Sequence, residues 1–556
     1  MTGVPPTRLR ATVRALKAWL RGSLFLAAAC STVGAAEISP DGFDSASLSA
    51  AIATSQRGDT IRLAEGSYAL SEAIRIPSGR KLVGAGQEKT RLTYVGTKPT
   101  TLLVLDGCED VELAHFMIDG ENNPLVHQGI GGGDARRLWL HHLTVQRLNA
   151  KTFGPHGMIF GGTRPTSENP AGRPGMTDSR ITDCTIEEIG LDAAFGCGIR
   201  LAFGCDRNEV SDNRIDRTGR GGIFGDGAAE LIVRRNRVTG SGGEGLGIEL
   251  WGDCPRSLIE SNDVDHWISV DGGERTAVRR NRVHASDDTL KGCGIEIIAR
   301  DVVVTDNVVE GGAMTGLSVS NTRVKNNVFW ARNAVRDCVQ WGAQFQGESG
   351  GIAHHYFHDC RFEKTRKGDP RAGHPGADGH GFRTNGNCRG LVFEECVFRG
   401  NGGFGVQLGG ADVDVLSFRK CSFVDNAAGP GAPPGASTRL EFLNCTMVAK
   451  GRKQKLPDAQ PFPGIAPAAD FQIPERIQVG QPVTFRCKSK AEQAPGVAGV
   501  PDGIVDRLWD FGHGIPAVVA EAVVIFEKPG PQRVTLVVWD AMGRGSRVEK
   551  QVTVEP

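Results

Sequence analysis

One short pattern recurs from about residue 110 to residue 450: an alternating apolar run, then Asn or Cys, then one residue and another apolar one. L-I-V-R-R-N-R-V, T-A-V-R-R-N-R-V and L-V-F-E-E-C-V-F are examples. Between Asn213 and Asn327 the steps are 23, 26, 19, 26 and 20 residues, which indicates a solenoid with one repeat in each coil. Phe116 and Leu143 fill the slot earlier, and the Asn or Cys positions are Cys184, Asn213, Asn236, Asn262, Asn281, Asn307, Asn327, Cys360, Cys396, Cys421 and Cys445.

A second alternating run is present in each repeat and begins with Gly, as in G-I-E-L-W (247–251) and G-I-E-I-I (294–298). Such alternation indicates strands with one buried face. Stacked coils pair in parallel, so equivalent positions lie ~4.8 Å apart. An Asn in the turn can then bond to the backbone and to the next Asn, and Cys suits the same buried slot. Thirteen ladder positions therefore predict an all-β rod roughly 60 Å long.

These strands and turns resemble the right-handed parallel β-helix proteins of the pectin-lyase-like superfamily, over about residues 38–450. The segment S-L-S-A-A-I-A-T-S-Q-R-G-D-T-I-R-L-A-E-G-S-Y (47–68), with I-P-S-G-R-K-L-V-G-A-G after it, is similar to the start of that fold. The resemblance implies a short helix after Asp44 and Ser45, one of which is the N-cap, covering the apolar end of the rod. It also implies a substrate groove on the outer face of the Gly-led strands.

The net charge indicates which partners to expect, and the N-terminal segment indicates where the protein is located. Lys plus Arg and Asp plus Glu both number 64 in 556 residues, which gives no reason to expect nucleic acid or an anionic membrane as partner. Residues 1–36 combine five basic residues, the apolar stretch 24–29 and small residues at 33–36, which predicts a signal peptide rather than a transmembrane segment. We expect a secreted, periplasmic or cell-surface protein, with a lipoprotein anchored at Cys30 as the alternative.

The rest of the chain divides into three parts. The β-helix is expected at residues 37–448, and a basic linker rich in Pro and Ala at 449–469. Residues 470–556 resemble a PKD (polycystic kidney disease) domain, an immunoglobulin-like β-sandwich, through W-D-F-G (509–512) and F-E-K-P-G-P-Q-R-V-T-L-V-V-W-D-A-M-G (526–543). The chain departs from that family at His513 and Phe526, where Asp and Tyr are usual. Such domains are commonly attached to secreted polysaccharide- and protein-degrading enzymes.

The 14 cysteines are expected to be reduced and buried. Cys205 and Cys254 occupy the same turn two coils apart, ~10 Å, which is beyond disulfide reach. A zinc site is not expected, because the chain has no C-x-x-C pair. No cofactor is expected either, and Asp287 and Asp288 are the candidate ligands if Ca²⁺ binds. Four other cysteines stack on adjacent coils, where a disulfide is the alternative: Cys360, Cys396, Cys421 and Cys445.

Aligned Gly-led runs predict two columns of outward side chains. The first column is Arg200, Phe224, Glu249, Ser269, Glu296, Ser318, Gln344, Arg383 and Gln407. The second column is Ala202, Asp226, Trp251, Asp271, Ile298, Ser320, Gln346 and Asn385. Preceding loops add His266, Lys291 and, from the 363–380 loop, His374, Asp378 and His380.

Carboxylates beside an aromatic ring suit a sugar: the sugar ring stacks on Trp, one acid protonates the leaving oxygen and another activates water. The predicted catalytic residues are Glu249, Asp271, Asp226, Glu296 and His266, and the predicted substrate-binding residues are Trp251, Arg200, Lys291, Arg383 and His380. We therefore expect a secreted polysaccharide-active protein, either a glycoside hydrolase or a polysaccharide lyase with a basic residue as its base.

The alternative is a non-catalytic glycan-binding, adhesion or structural protein, because outward positions on any solenoid are polar. The motifs of individual enzyme families do not distinguish an enzyme from a non-catalytic protein. L-W-L-H-H-L-T-V (138–145) is similar to the Trp-Ile-Asp-His segment of pectate lyases, but His141 replaces their calcium-binding Asp. The Asp-Pro-His motif of mannuronan epimerases is missing. The sequence leaves the oligomeric state and the sugar open.

Overall fold

The coils stack in the computed structural model as a right-handed β-helix of three parallel sheets, A, B and C, entered in that order in each coil. Sheet A ends at the Asn/Cys corner, sheet B comes directly after it, and sheet C carries the Gly-led runs. The structure describes residues 35–556 except 152–153, 165, 167–171, 243–244, 286–291, 321–326, 369–378, 410–412, 432–438, 457–465 and 492–502. The predicted signal peptide lies almost wholly outside the described residues.

Sheet A consists of Glu37–Ile38, Thr60–Arg62, Lys81–Val83, the first parts of Glu112–Asp119 and Trp139–Leu148, Arg180–Thr182, Glu209–Ser211, Ile232–Arg234, Leu258–Glu260, Ala277–Arg279, Val302–Thr305, Val328–Ala331, the last parts of Trp341–His358 and His380–Glu394, Val413–Arg419 and Leu440–Leu443. Sheet B consists of Gly66–Leu70, Thr90–Tyr94, the last parts of Glu112–Asp119 and Trp139–Leu148, Thr185–Ile189, Arg214–Thr218, Arg237–Ser241, Asp263–Val264, Arg282–Ala285, Val308–Gly311, Ala334–Arg336, Arg361–Glu363, Val397–Arg399, Ser422–Val424 and Thr446–Ala449.

Sheet C consists of Ile74–Arg75, Thr100–Val104, Val126–Gly132, His156–Gly161, Cys197–Ala202, Gly221–Asp226, Leu246–Trp251, Trp267–Asp271, Cys293–Ile298, Thr315–Ser320, the first parts of Trp341–His358 and His380–Glu394, and Val406–Leu408. Two short strands, Ala135–Arg136 and Met176–Thr177, pair beside it. Arg452–Lys455, within the segment predicted as a linker, pairs antiparallel with Thr446–Ala449 at the end of sheet B.

A hydrogen-bonded stack of Asn side chains joins the coils at the corner between sheets A and B. The backbone N–H and side-chain amide of Asn236 both donate to Asn262 Oδ1, at 2.9 and 3.0 Å, and the same amide donates to Val210 O at 2.9 Å. Each step satisfies buried polar groups on two coils at once. The pattern continues through Asn213, Asn236, Asn262, Asn281, Asn307 and Asn333, and at its end the Asn333 amide faces Cys360 Sγ at 3.8 Å.

The assignment of Asn327 to this stack is wrong. Asn327 precedes the sheet A strand Val328–Ala331, whereas the stack residue comes after that strand, at Asn333. The Asn327 amide instead donates to Asp301 Oδ1 at 2.6 Å. Both segments read as apolar runs around an Asn, so only the pairing of Val302 with Val328 distinguishes the two turns.

The residue before each stack position has a left-handed backbone conformation, as at Arg235 (φ 54°) and Asp306 (φ 60°). This conformation turns the chain sharply from sheet A into sheet B, at an energetic cost for residues other than Gly. Ion pairs between adjacent coils accompany the turn. Arg235 Nε donates to Asp212 Oδ1 at 2.7 Å, and Arg332 Nε donates to Asp306 Oδ1 at 2.6 Å.

The predicted capping helix is confirmed as Ser45–Thr54. Asp44 is its N-cap and accepts a hydrogen bond from Ser47 N at 2.8 Å. Leu48 and Ile52 are buried against the first coils, and they cover the apolar end of the rod.

Every cysteine in the described part of the chain is a free thiol, as predicted. Cys184, Cys360, Cys396, Cys421 and Cys445 are buried in the corner slot. Burial raises the pKa of Cys184 to about 12, so this thiol stays protonated and packs as a small apolar residue.

The C-terminal part forms two antiparallel three-stranded sheets. One contains Phe471–Gln472, Pro482–Cys487 and Glu521–Ile525, and the other contains Ile504–Asp510, Gly530–Asp540 and Gly545–Val554. A core that includes Phe485, Trp509 and Leu536 lies between them.

The second of these sheets packs on the outer face of sheet A. The apolar part of the contact is a buried cluster of Val303, Phe329, Ala331, Tyr356, Val392, Leu508, Val537 and Trp539. Beside it, Arg279 Nη1 lies 2.8 Å from Asp510 Oδ1, and both side chains are buried. Arg547 Nε lies 3.0 Å from Glu394 Oε2. The two parts therefore share an apolar core and a buried ion pair.

Replacing Asn262 by Ala should lower the free energy of unfolding by about 3 kcal/mol, because Asn236 N and Val233 O lose their buried partners. Asn333→Cys should cost only about 1 kcal/mol, because it moves the existing Asn–Cys junction by one coil. Denaturant titration followed by circular dichroism measures both. Equal losses in the two variants would contradict the role given to the stack.

Replacing Asp510 by Ala should destabilise the protein by about 3–5 kcal/mol, because the Arg279 guanidinium is left charged and unpaired in a buried site. The double variant Arg279→Met, Asp510→Ala should recover part of this loss. Tryptophan fluorescence during urea unfolding reports on both through the neighbouring Trp509. If the double variant is no more stable than Asp510→Ala, the ion pair does not join the two parts.

Candidate functional site

The outer face of sheet C has the two predicted columns. In the first column Arg200 lies opposite Phe224, Phe224 opposite Glu249, and Glu249 opposite Ser269. The column continues through Glu296, Ser318, Gln344, Arg383 and Gln407. In the second column Asp226 pairs with Trp251, and Asp271 pairs with Ile298. The parallel coils thus bring acids from distant parts of the sequence onto one face.

Glu249 is only 6% exposed and is held by Arg220. Arg220 Nε and Nη2 donate to its two carboxylate oxygens at 3.0 and 2.9 Å. The same guanidinium lies over the rings of Phe195 and Phe224, at 5.1 and 5.4 Å. This bidentate pair gives both carboxylate oxygens of Glu249 a hydrogen-bond donor.

Asp226 is 1% exposed and is likewise paired with arginine. Arg200 Nη2 donates to Asp226 Oδ2 at 2.9 Å, and Arg164 Nη2 lies 3.5 Å from Oδ1. Arg164 also covers the Phe203 ring at 4.4 Å. Arg164 follows Thr163, which forms an antiparallel bridge with Arg173.

Glu296 differs from these two acids because serine hydroxyl groups, rather than a guanidinium, donate to it. Ser269 Oγ and Ser320 Oγ donate to its carboxylate at 3.1 and 2.8 Å, and the residue is 8% exposed. Burial raises the pKa of Glu296, and the charges of Asp271 and Glu249 raise it further, against the two serine hydrogen bonds that lower it. Glu296 is therefore the acid on this face that is suited to hold a proton.

Trp251 is the exposed aromatic residue of the face, with 44% of its surface accessible. Its ring stacks against Phe224 with 6.4 Å between centroids. It therefore presents an apolar surface beside the acids, held from behind by a second ring. The partly buried Asp271 ends the neighbouring sheet C strand, Trp267–Asp271.

The remaining predicted site residues lie apart from this group or outside the described residues. His266 is buried in the turn before sheet C, with Nδ1 2.9 Å from Asp265 Oδ1. Arg383 is five coils from Glu249, about 24 Å along the axis, and lies over the Trp341 ring. His380 is buried, and its Nδ1 accepts a hydrogen bond from Phe404 N at 2.9 Å. Lys291, Asp287, Asp288, His374 and Asp378 lie outside the described residues.

Sequence reasoning missed Arg220 and Arg164. Arg220 stands in the turn just before Gly221-Gly222, so a basic residue beside a Gly-led run was its only signal. In the sequence, Arg164 comes after the sheet C strand His156–Gly161 and before the sheet A strand Arg180–Thr182. The repeat cannot be aligned in this part of the chain, so it gave no prediction for Arg164.

Comparison with known proteins agrees with this architecture. The family model for the right handed beta helix region matches residues 174–264 and 266–447. Together with the three parallel sheets, this match makes the chain a right-handed β-helix protein.

The preneck appendage protein of Bacillus phage PZA is 24% identical over 276 residues, which is 45% of this chain and 30% of that protein. The chain thus matches under a third of that relative's length. The phage phi29 gene product 12 N-terminal fragment has a TM-score of 0.45 at 15% identity, over 75% of this chain and 71% of that one. The A-module of Azotobacter vinelandii mannuronan C-5 epimerase AlgE6 has a TM-score of 0.39 at 13% identity, over 72% and 94%.

No helix in the described part of the chain has the length and apolar composition needed to cross a membrane.

The raised pKa of Glu296 predicts a specific pH dependence. Above pH 4.5, its ordinary pKa, the folded state binds more protons than the unfolded chain, so the free energy of unfolding falls as pH rises toward the raised value. Glu296→Gln should remove this fall and gain stability relative to the parent protein toward neutral pH. Thermal unfolding between about pH 4 and about pH 8 measures it.

Glu441→Gln is the matched control, because Glu441 is a buried glutamate on sheet A that accepts a hydrogen bond from Ser417 Oγ at 2.6 Å. If Glu296→Gln and Glu441→Gln change the pH dependence alike, Glu296 is not the group that holds the proton.

Proposed function

We propose that this protein is an exported polysaccharide-active enzyme, a glycoside hydrolase whose site is the outer face of sheet C around Glu296, Asp271 and Trp251. The observation that carries the proposal is the raised pKa of Glu296. A glycosidic bond needs a buried acid that keeps its proton and a second carboxylate nearby that has lost its own. In this proposal Glu296 is the acid and Asp271 is the second carboxylate.

Glu296 acts as general acid and Asp271 as general base. Asp271 pairs with Ile298, two residues beyond Glu296, so strand spacing and rise place the two backbone positions about 8 Å apart. Carboxyl groups roughly 6.5–9.5 Å apart suit inversion, in which water attacks from the face opposite the leaving group. Glu296 gives its proton to the leaving oxygen, and Asp271 takes a proton from the attacking water.

The residues around Glu296 and Asp271 bind the substrate. Trp251 stacks on the apolar face of a sugar ring. Glu249 and Asp226, which we had expected to be catalytic, are neutralised by Arg220 and Arg200 and serve to fix those guanidinium groups at the groove. His266 supports the turn that begins the Asp271 strand. Arg383, five coils from Glu249, belongs to a more distant subsite of an extended sugar chain. The buried His380 supports the neighbouring coil through its bond to Phe404 N.

A hydrolase is favoured over a lyase because lyase chemistry begins with a base that removes a proton. On this face burial instead raises the pKa of Glu296, which favours a proton donor over a base. A predicted Ca²⁺ site at Asp287 and Asp288 has no part in the proposed reaction.

A second candidate is a non-catalytic structural or glycan-binding role. Two of the four acids are paired with arginine, so much of the charge on this face is neutralised internally. The curated relatives are appendage proteins of bacteriophages, which supports a structural role for the shared coils. In this case the outer face of sheet C binds sugar without cleaving it.

The two C-terminal antiparallel sheets and the W-D-F-G segment (509–512) support a PKD-like sandwich at residues 470–556. Its packing against sheet A would hold it fixed on the rod, where it would act as a structural brace. Residues 1–36 would direct export and be removed.

Purified protein assayed against acidic and neutral polysaccharides tests the proposal. New reducing ends without unsaturated uronate indicate a hydrolase, and both products together indicate a lyase. Binding without either product supports the structural role. We expect Glu296→Gln and Asp271→Asn each to lower kcat by about 10²–10⁴-fold, and Trp251→Ala to act mainly on KM.

Gln407→Ala is the control, because Gln407 lies in the same column but six coils from Glu249. If Glu296→Gln keeps full activity on a substrate that the parent protein cleaves, the acid lies elsewhere. Full activity in Asp271→Asn would remove that residue as the base.

A further inference from the structure

Three histidines meet at the corner between sheets A and B, near the N-terminal end of the rod. His115 and His142 are the residues that precede the corner slots filled by Phe116 and Leu143, and both are left-handed, with φ of 61° and 50°. Adjacent coils therefore place them one above the other. His141 precedes His142 and is buried.

This pair differs from its counterparts on several other coils. There the residue before the slot forms an ion pair with the equivalent residue one coil away, as Arg235 does with Asp212 and Arg332 with Asp306. Here two imidazoles replace the cation and the anion. Their ring centroids are 4.9 Å apart.

The ring nitrogens converge. One nitrogen from each of His115, His141 and His142 lies within 4.8 Å of the others, and His141 Nδ1 is 2.9 Å from His142 Nδ1. Nitrogens bound ~2.0–2.1 Å from a tetrahedral zinc ion are separated by about 3.4 Å. Small rotations of the side chains would therefore give all three nitrogens bonding distance to one ion.

The surroundings of His141 fix which nitrogen faces the others. Its Nε2 lies 3.4 Å from Glu112 Oε1, and Glu112 Oε2 is held by Lys81 Nζ at 3.0 Å. The Trp139 ring stacks on the His141 imidazole with 3.9 Å between centroids. Donation from Nε2–H to Glu112 leaves the lone pair on Nδ1, directed at His142. A carboxylate behind a histidine in this way is typical of metal sites.

We propose that His115, His141 and His142 bind a divalent transition metal ion of the Zn²⁺ class, with Glu112 orienting His141. Three imidazoles suit Zn²⁺, Ni²⁺ and Cu²⁺ and do not suit Ca²⁺ or Mg²⁺, which prefer oxygen. In the metal-free protein, His142 Nδ1–H donates to His141 Nδ1. On binding, that proton moves to His142 Nε2, so the protein loses no net proton.

This site is independent of the proposed glycan groove. It lies on a different corner of the rod, five coils before the coil of Glu296, which is about 24 Å along the axis. Activity on a polysaccharide therefore does not test it, and its failure would leave the groove untouched.

Calorimetric titration of the full-length protein with ZnCl₂ tests the proposal. We expect one ion to bind with micromolar or tighter affinity, and His115→Ala, His141→Ala and His142→Ala each to weaken it at least 10-fold. Glu112→Gln should weaken it by about 10-fold, the effect of removing an orienting carboxylate. Circular dichroism and thermal unfolding check the fold of each variant, and the exposed His142 is the safest change.

His284→Ala is the matched control, because His284 is a partly exposed histidine on sheet B whose Nε2 lies 2.8 Å from Asp263 Oδ1. Its affinity for Zn²⁺ should equal that of the parent protein. Co²⁺ substitution gives a second readout, since imidazole ligation lacks the intense near-ultraviolet band of thiolate ligation. No binding of Zn²⁺, unchanged affinity in His142→Ala, or a thiolate band would each overturn the proposal.

Discussion

The hydrogen-bonded stack of Asn residues at the corner between sheets A and B is the interaction on which the rest of the molecule depends. Each Asn joins two coils and satisfies buried backbone groups at a turn that costs energy to make. Because it fixes where the coils from Asn213 to Asn333 turn, it also fixes the register of sheets A, B and C over these coils. Where Cys replaces Asn, the slot stays buried, but the amide bonds are replaced by weaker contacts to sulfur, as at Cys360. The acids on sheet C lie in coils that this stack joins, whereas the histidine cluster lies at the same corner of the rod where Phe116 and Leu143 fill the slot.

On the outer face of sheet C, equivalent positions of a regular repeat hold acids with different hydrogen-bond partners. Glu249 and Glu296 occupy the same column, two coils apart, and both are buried. The side chains around them decide the difference: Arg220, from a turn, reaches Glu249, whereas the hydroxyl groups of Ser269 and Ser320, from neighbouring strands, reach Glu296. Because a guanidinium favours the carboxylate and burial favours the acid, the two groups are suited to different work. The position in the column is therefore set by the repeat, whereas the surroundings of each acid are set by its particular neighbours.

Periodicity in the sequence was enough to predict the repeating parts of the structure. The strands of sheets A and C, the free thiols and the pairing of Phe224 with Glu249 follow from the repeat, and the capping helix after Asp44 follows from the resemblance to the β-helix family. Asn327 was misplaced because V-K-N-N-V-F reads like a stack segment when neighbouring strands are unknown. The partners of Glu249 and Asp226 were missed because Arg220 and Arg164 stand in turns of unequal length, to which periodicity does not apply. The convergence of His115 with His142 also depends on coil stacking across 27 positions of sequence.

The account rests on the outer face of sheet C as the surface that meets a polysaccharide, whether or not the bond is then cleaved. Hydrogen–deuterium exchange of the protein with and without a bound oligosaccharide tests this most directly, because it locates contact without requiring turnover. We predict slower exchange in the sheet C strands Leu246–Trp251, Trp267–Asp271 and Cys293–Ile298, with no change in the C-terminal sheets. Protection confined to sheets A and B or to the C-terminal part, by a sugar that binds, would contradict it.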